Sequence, residues 1–345
     1  MKDLSIIIPV YNIPTFMLEQ CLESVSSIEG INYEVIIVND LSPNVENRAT
    51  INIYCNRRPN FRMVDLQQNG GVSHARNVGL SISSGLFVYF MDADDILIPA
   101  HFAKAFSNRS NVDLIIFHTE CQFASNGAYI QGTGHPYSHL YPVTEQDLLY
   151  LLKHGFGGVC NKIMRRSIIG ELRFPEKITN FEDLMFVWQY ILLRNPRTLF
   201  YPEVCYRIRF REGSATRAVW DENRYLNIIR SACKAFDIIS EIATSKRVAA
   251  KYLFNFLLSE SLVNYVIIGR LKRNGSQDVS IETNRLVRRY LQLDSFFISD
   301  PMKHLLRFRL CWMKWLPSHY PRPIYYILKY CVNSNIYSCR VHLVC

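Results

Sequence analysis

Three carboxylates stand within four residues at Asp92-Ala93-Asp94-Asp95, directly after the apolar run Leu86–Met91. Like charges packed that closely are costly unless something positive neutralises them. A hard divalent cation with oxygen ligands, sharing a phosphate-bearing substrate, does so. The plain alternative is a capped turn, because the acids also lead into a helix start at Pro99. A second acidic pair, Glu182-Asp183, follows Thr179-Asn180-Phe181. Acids in a first helical turn are ordinary capping and dipole partners. The same dipole keeps a carboxylate ionised, which a general base requires before it can take a proton. Asn69-Gly70-Gly71-Val72-Ser73-His74-Ala75-Arg76-Asn77 is a glycine turn opening a helix. Free N–H groups there, with Arg76 close behind, suit an anion, although the glycine pair alone is a weak signal and plain turn chemistry explains it more readily. No Gly-Lys-Ser/Thr follows, so this is not a Walker loop. Arg207, Arg209 and Arg211 alternate along an extended run and share one face. They read either as a clamp for a diphosphate or as a charged sheet edge that resists aggregation.

These groups need a frame. Over the first 118 residues, Leu4–Val10, Tyr33–Asn39, Phe61–Leu66, Leu86–Met91 and Val112–Phe117 have the β-branched, turn-bounded character of strands. Between them Thr15–Ser27, Val45–Asn56, Gly71–Ser83 and Pro99–Ser107 have helical periodicity. Such alternation implies an α/β fold: a mostly parallel, Rossmann-like sheet with helices on both faces. Ligands then bind outside the carboxyl ends of the strands. Pro9-Val10-Tyr11-Asn12, Val38-Asn39-Asp40 and Met91–Asp95 all arrive at that rim, which favours a metal–diphosphate site over a capped turn. Residues 119–160 read as an irregular excursion. Asn180–Arg194 is a helix and Val204–Arg211 a strand. From Asp221 onward the pattern is helical, with Asn223–Ser245, Arg247–Leu271 and Glu282–Leu291 as helices and Asn274–Ser280 as a polar linker.

Charge divides the chain in the same place. Residues 1–220 carry 20 Lys/Arg against 21 Asp/Glu, whereas 221–345 carry 19 against 9. This predicts a catalytic domain over 1–220 and a basic helical C-terminal region over 221–345. The ten cysteines are scattered singly, with no zinc spacing, as suits a reducing compartment. No apolar run reaches the ~20 residues of a spanning helix. The nearest, Tyr252–Ile268, is broken by Asn255, Ser259, Glu260 and Asn264. Nor does Leu4–Val10 have the form of a signal peptide. The expected location is cytoplasmic, peripheral on the inner face of the cell membrane. From Met302 onward there are seven Lys/Arg and no acid. A helix over Met302–Leu316 would place Leu305, Phe308, Trp312, Trp315 and Leu316 on one side, with Lys303, Arg307 and Lys314 opposite, while Leu310 and Arg309 blur the division. A second aromatic–basic stretch runs from Arg322 to Tyr330. Aromatic and basic residues together suit an anionic membrane surface, or these aromatics pack on the catalytic domain instead.

Five motifs occur together and in register: Ser5-Ile6-Ile7-Ile8-Pro9-Val10-Tyr11-Asn12, Val38-Asn39-Asp40, Asn69-Gly70-Gly71 through Ala75-Arg76-Asn77, Met91–Asp95 and Glu182-Asp183. Over roughly residues 3–215 the chain resembles the family 2 glycosyltransferases of GT-A fold, inverting enzymes of bacterial cell-surface polysaccharide synthesis. The resemblance implies that Pro9, Tyr11 and Asp40 bind a uridine nucleotide, with Asn69 and Arg76 as further contacts. It implies that Asp92 and Asp94 form the Asp-x-Asp motif for Mn²⁺ or Mg²⁺, with Asp94 the direct ligand. Asp183 matches the family's base, supported by Glu182. Arg209 and Arg211, before Gly213-Ser214, resemble the segment that closes on the diphosphate. One departure stands out: family members often read Asp-Asp-Gly-Ser after the second strand, where this chain has Asn39-Asp40-Leu41-Ser42.

The implied enzyme is a metal-dependent hexosyl- or N-acetylhexosaminyl-transferase. It would use a UDP-sugar donor and a glycan or lipid-linked acceptor. No Ser/His or Cys/His pairing suggests acyl transfer. Two rivals are weighed against this reading. A nucleotidyltransferase or sugar-nucleotide pyrophosphorylase would carry a basic Gly-rich loop near the first strand, and Pro9–Pro14 has none. A nucleic-acid-binding protein would need its positive charge on the fold itself, and residues 1–220 are nearly neutral.

Overall fold

A computed structural model describes residues 2–122, 129–131, 140–142, 157–209 and 222–243, with further single positions between 249 and 293. Leu4–Val10 (β1) and Tyr33–Asn39 (β2) are apolar on both sides, and Ile6, Ile7, Ile8, Val35, Ile36 and Ile37 are all fully buried. Strands buried on both faces belong inside a parallel sheet. β1 indeed pairs in parallel with β2 and with Phe87–Phe90 (β4), and β2 with Phe61–Asp65 (β3).

The remaining strands are Ile96–Leu97 (β5), Leu114–Gln122 (β6), Tyr129–Gln131 (β7), Leu140–Pro142 (β8), Lys162–Arg165 (β9) and Arg197–Arg209 (β10). The sheet runs β3-β2-β1-β4-β9-β6-β10-β5, with β7 on β6 and β8 on β10. Its long ladders are parallel, including β6 with β10. The antiparallel ladders, made by β9 with β4 and β6 and by β5, β7 and β8, each span only two or three residue pairs. The result is a mixed, mostly parallel GT-A-like α/β sheet.

Helices cover both faces. Thr15–Ser26 (α1) and Pro99–Ser107 (α4) set Leu18, Leu22, Val25, Phe102 and Phe106 against Ile6, Ile8, Val35 and Ile37. On the other face Gly71–Ile82 (α3) lies so close that a Cβ on Gly79 would come within 2.4 Å of Ile7 Cγ2. Glu182–Arg194 (α6) packs on that face too: Phe186 stacks on Phe174 at 3.9 Å between centroids and meets Phe90 edge-on. Val45–Arg57 (α2), capped by the Asn44 side chain, and the single turn Arg166–Ile169 (α5) complete this unit.

The sequence missed three features. Residues 119–160 are not wholly irregular, since they hold the end of β6 and strands β7 and β8. β10 begins at Arg197, because Pro202-Glu203 interrupts its apolar alternation where the β6 register shifts. β9 was hidden by its charged first residue, Lys162, which is nonetheless fully buried.

The chain divides into two compact units, the first comprising Met1–Thr144, Gly157–Glu176 and Glu182–Arg217. In the second, Glu222–Ala243 (α7) buries Tyr225, Ile229, Ala232, Phe236 and Ile239 at helical spacing. Phe236 meets Phe254 at 4.8 Å, and Arg289 donates to Asp237 and to the Cys233 carbonyl. No helix among the described residues is long and apolar enough to cross a membrane. Arg211 and the basic tail from Met302 lie outside the described residues.

Candidate active site at the carboxyl rim

Where β1 ends, Pro9 is half-buried and Tyr11 leaves 49% of its surface exposed at the rim. Beside it, β2 delivers Asp40 into the interior. Asp40 Oδ1 accepts from Gly70 N at 2.8 Å; Oδ2 accepts from Gly71 N at 2.8 Å and from Asn69 Nδ2 at 3.0 Å. The first N–H groups of α3 are thus met by a carboxylate from the protein itself. The N–H groups of Gly70 and Gly71, expected to be open to an anion, are therefore already paired. Gly71 adopts φ +83°, where a side chain would be strained, so at least this glycine is turn chemistry. Leu41 holds φ +53° at the position where a glycine was expected, and half its surface is exposed.

One and a half turns into α3, Arg76 is buried, with 4% of its side chain exposed. Its Nη2 donates to Asp92 Oδ1 at 2.8 Å and its Nη1 to Asp183 Oδ1 at 2.5 Å, while Glu182 Oε1 lies 4.0 Å away. The rim acid of β4 and the acidic pair of α6, 91 residues apart in sequence, are therefore gathered on one guanidinium. Burial works against its charge, but Asp183, Asp92 and Glu182 outweigh burial and hold it firmly protonated. Its Nε and the Ser73 Oγ, both buried, have no hydrogen-bond partner among the described residues. Arg76, expected as a nucleotide contact, ties these acids together.

The three aspartates after β4 do not converge. Asp95 turns inward, accepting from Tyr206 Oη at 2.7 Å and from Arg209 N at 2.8 Å. Burial, then the charges of Asp94 and Asp92, pushes its pKa well up. Both of its carboxylate oxygens are taken up by protein donors. Asp92 keeps 39% of its side chain exposed, and its N–H donates to Tyr206 Oη at 3.1 Å. Asp94 is half-buried at the same rim. Among the described residues no three His, Cys, Asp or Glu side chains gather to hold a metal alone. Asp92 and Asp94 still fit a cation that draws its other ligands from a diphosphate, since a small hard ion takes one or two carboxylates plus substrate phosphates.

Phe181 precedes α6 with φ +73°, a strained conformation at the entry to the acidic pair. Burial pushes Glu182 up to about 7, reinforced by Asp183 and opposed by Arg76. Burial also raises Asp183, opposed by Arg76 and by the N–H of Val159. The pair was expected to stay low; burial raises both acids.

The arginine face is corrected as well. Arg207 pairs with Glu120, Nε to Oε1 at 2.6 Å. Arg209 is buried, its guanidinium donating to the carbonyls of Asp94 at 2.5 Å and Met17 at 2.9 Å and to the Gln20 side chain. It braces the Asp92–Asp95 loop against α1. Three contributors had no signal in the sequence: Tyr206, which bridges Asp92 to Asp95, and Asn161 and Lys162 at the start of β9.

Strand order, covered faces and an acidic rim at the carboxyl ends define the GT-A-like α/β class. Staphylococcus aureus TarS 1–349, solved in complex with UDP-GlcNAc, shares this fold with a TM-score of 0.67 at 18% identity, over 97% of this chain and 93% of that one. So does the mannosyltransferase PcManGT from Pyrobaculum calidifontis, solved in complex with GDP-Man and Mn²⁺: TM-score 0.51, 14% identity, 98% and 89% covered. At such identities the likeness is one of fold.

Residues 5–173 match the Glycosyl transferase family 2 model, and this stretch of the chain belongs to that family. Minor teichoic acid biosynthesis protein GgaB of Bacillus subtilis is 25% identical over 219 residues, covering 62% of this chain and 24% of GgaB. The chain spans about a quarter of the length of the curated relatives it matches first.

Proposed function

We propose that the chain is an inverting glycosyltransferase of surface polysaccharide synthesis. It would move a sugar from a UDP-sugar to a hydroxyl of a glycan or lipid-linked acceptor. The observation that carries this reading is Arg76, whose two terminal nitrogens hold Asp92 and Asp183 to one centre. A metal-side carboxylate and a base then face the same small volume, as transfer from a diphosphate requires. TarS, solved with UDP-GlcNAc, and PcManGT, solved with Mn²⁺, support the choice of donor and ion.

In this reading Asp183 takes the proton of the acceptor hydroxyl as its oxygen bonds to the anomeric carbon. The bond from that carbon to the UDP oxygen breaks, and its electron pair leaves with UDP, so the configuration inverts. A divalent cation on Asp94 and Asp92 would supply positive charge to the departing diphosphate. Exposed Tyr11 offers a face for the base of the nucleotide, beside Pro9. Asp40, Asn69 and Arg209 keep the rim in shape from behind, and Arg76 sets the spacing between the two acids. Beyond Met302 the basic, aromatic tail holds the enzyme at an anionic membrane face, beside a lipid-linked acceptor.

The test is a panel of UDP-GlcNAc, UDP-GalNAc, UDP-Glc and UDP-Gal with Mn²⁺ or Mg²⁺, read by UDP release and thermal shift. At least one donor is expected to stabilise the protein in a metal-dependent way and to release UDP. Formation of UTP and sugar phosphate from pyrophosphate, with no UDP release, would instead establish a pyrophosphorylase.

A further inference from the structure

β9 enters the sheet antiparallel between β4 and β6, pairing Ile163 with Tyr89 and Lys162 with Ile116. Its direction places the preceding turn, residues 157–161, at the carboxyl rim among the acids. The sheet side of that turn is tied down closely. Tyr89 Oη donates to the Cys160 carbonyl at 2.7 Å, Phe117 N donates to the Asn161 carbonyl at 3.1 Å, and Asn161 Nδ2 donates to the Phe117 carbonyl at 3.3 Å. Lys162 closes the turn from within: its Nζ donates to the Gly158 carbonyl and to Asn161 Oδ1, both at 2.6 Å.

The opposite side of the turn meets the start of α6. A Cβ on Gly157 would stand 2.5 Å from Leu184 Cδ1, so the backbone lies directly on the residue after Asp183. The Val159 N–H faces the Asp183 carboxylate and favours its ionised form.

Lys162 is fully buried, and burial pushes its pKa down to about 7. A wholly buried ammonium is costly, and Met or Leu would fill similar space without that cost. What the ammonium adds is a positive charge that favours ionised Asp183, and donors, two of which are spent on the turn that carries Val159. We propose that Lys162 is a positioning residue: by holding Gly158 and Asn161 in one turn it aims the Val159 N–H at Asp183 and sets the orientation of the base. The inference rests on the reading of Asp183 as the base. Lys162 itself is fully buried.

The experiment compares the full-length wild type with Lys162→Met, Asn161→Ala and Asp183→Asn. The donor is whichever of UDP-GlcNAc, UDP-GalNAc, UDP-Glc and UDP-Gal the wild type turns over fastest, and UDP affinity is measured by calorimetry. A misplaced catalytic group typically costs about 10²-fold. Lys162→Met is therefore expected to lower kcat about 10²-fold and Asn161→Ala about tenfold, with donor KM and UDP Kd within about twofold of wild type. If Lys162→Met does not fold, Asn161→Ala carries the same comparison of kcat with KM. A folded Lys162→Met with wild-type kcat overturns the proposal. So do KM and Kd rising in step with the loss of kcat, which means general loosening. Wild-type turnover in Asp183→Asn removes the base and this inference with it. An inactive Asp183→Asn beside a fully active Lys162→Met removes only the role of the lysine.

Discussion

Arg76 Nη1 lies 2.5 Å from Asp183 Oδ1, and the neighbouring nitrogen of the same guanidinium holds Asp92. A planar fork can address two carboxylates at once, which a single ammonium cannot. Arg76→Lys is expected to fold, keep one contact and lose about 10²-fold in kcat. Arg76→Met leaves the acids without their buried cation and is expected to cost about 3–5 kcal/mol in urea unfolding. Wild-type stability in Arg76→Met would show that the acids do not depend on it.

Asp94 and Asp92 are the rim acids that remain partly exposed after Asp95 turns inward. Asp94→Asn is expected to abolish transfer and the Mn²⁺-dependent part of UDP binding, with an unchanged melting curve. Full activity in that variant, or in excess chelator, would exclude the metal-dependent mechanism.

The acidic pair should be separable by pH. Asp183→Asn is expected to lose about 10²–10⁴-fold in turnover while still binding the donor. Because burial raises Asp183, the acid limb of the kcat profile should lie above the ordinary aspartate range. Glu182 is raised from 4.5 to about 7 in the folded chain, so folded protein binds this proton more tightly than unfolded. Its contribution to stability is complete below pH 4.5 and is lost as pH rises through 7. Glu182→Gln should therefore melt above wild type at pH 8, with the difference shrinking towards pH 4. Equal pH dependence in the two proteins would contradict the shift.

Leu41 sits at φ +53° with half its surface exposed. That conformation costs a side-chain-bearing residue about 1–2 kcal/mol, partly offset because glycine makes the unfolded chain more flexible. Leu41→Gly is accordingly expected to be neutral or stabilising by up to about 1 kcal/mol in urea unfolding. A loss larger than that would mean the leucine side chain is held by packing.

A chain ending near Asp300 should leave anionic liposomes while retaining UDP affinity, since it lacks all seven basic residues beyond Met302. Each Lys or Arg at an anionic surface is worth roughly 1 kcal/mol, so the full chain's binding should weaken sharply with salt. Unchanged co-sedimentation after truncation, at low and high salt, would exclude the tail as the anchor.

The amino-acid sequence by itself determined the βα alternation of the first 118 residues and the motifs that sit on it. Apolar periodicity and turn residues are local properties, so β1, β2 and α3 are legible from neighbours in the chain. It also determined which acids reach the rim, because a strand end delivers whatever follows it. What each acid does there was decided only by tertiary structure. Asp40 caps a helix and Asp95 takes up a bond from Tyr206, while Asp92 meets Asp183 through Arg76, across separations of 30 to 111 residues. Arg209 looked like an outward clamp because strand alternation fixes a face but not which face is covered; α1 covers it. β9 and Lys162 were invisible for a related reason. A four-residue strand between two others takes its stability from those neighbours, and a buried lysine is intelligible only beside the carbonyls that receive it.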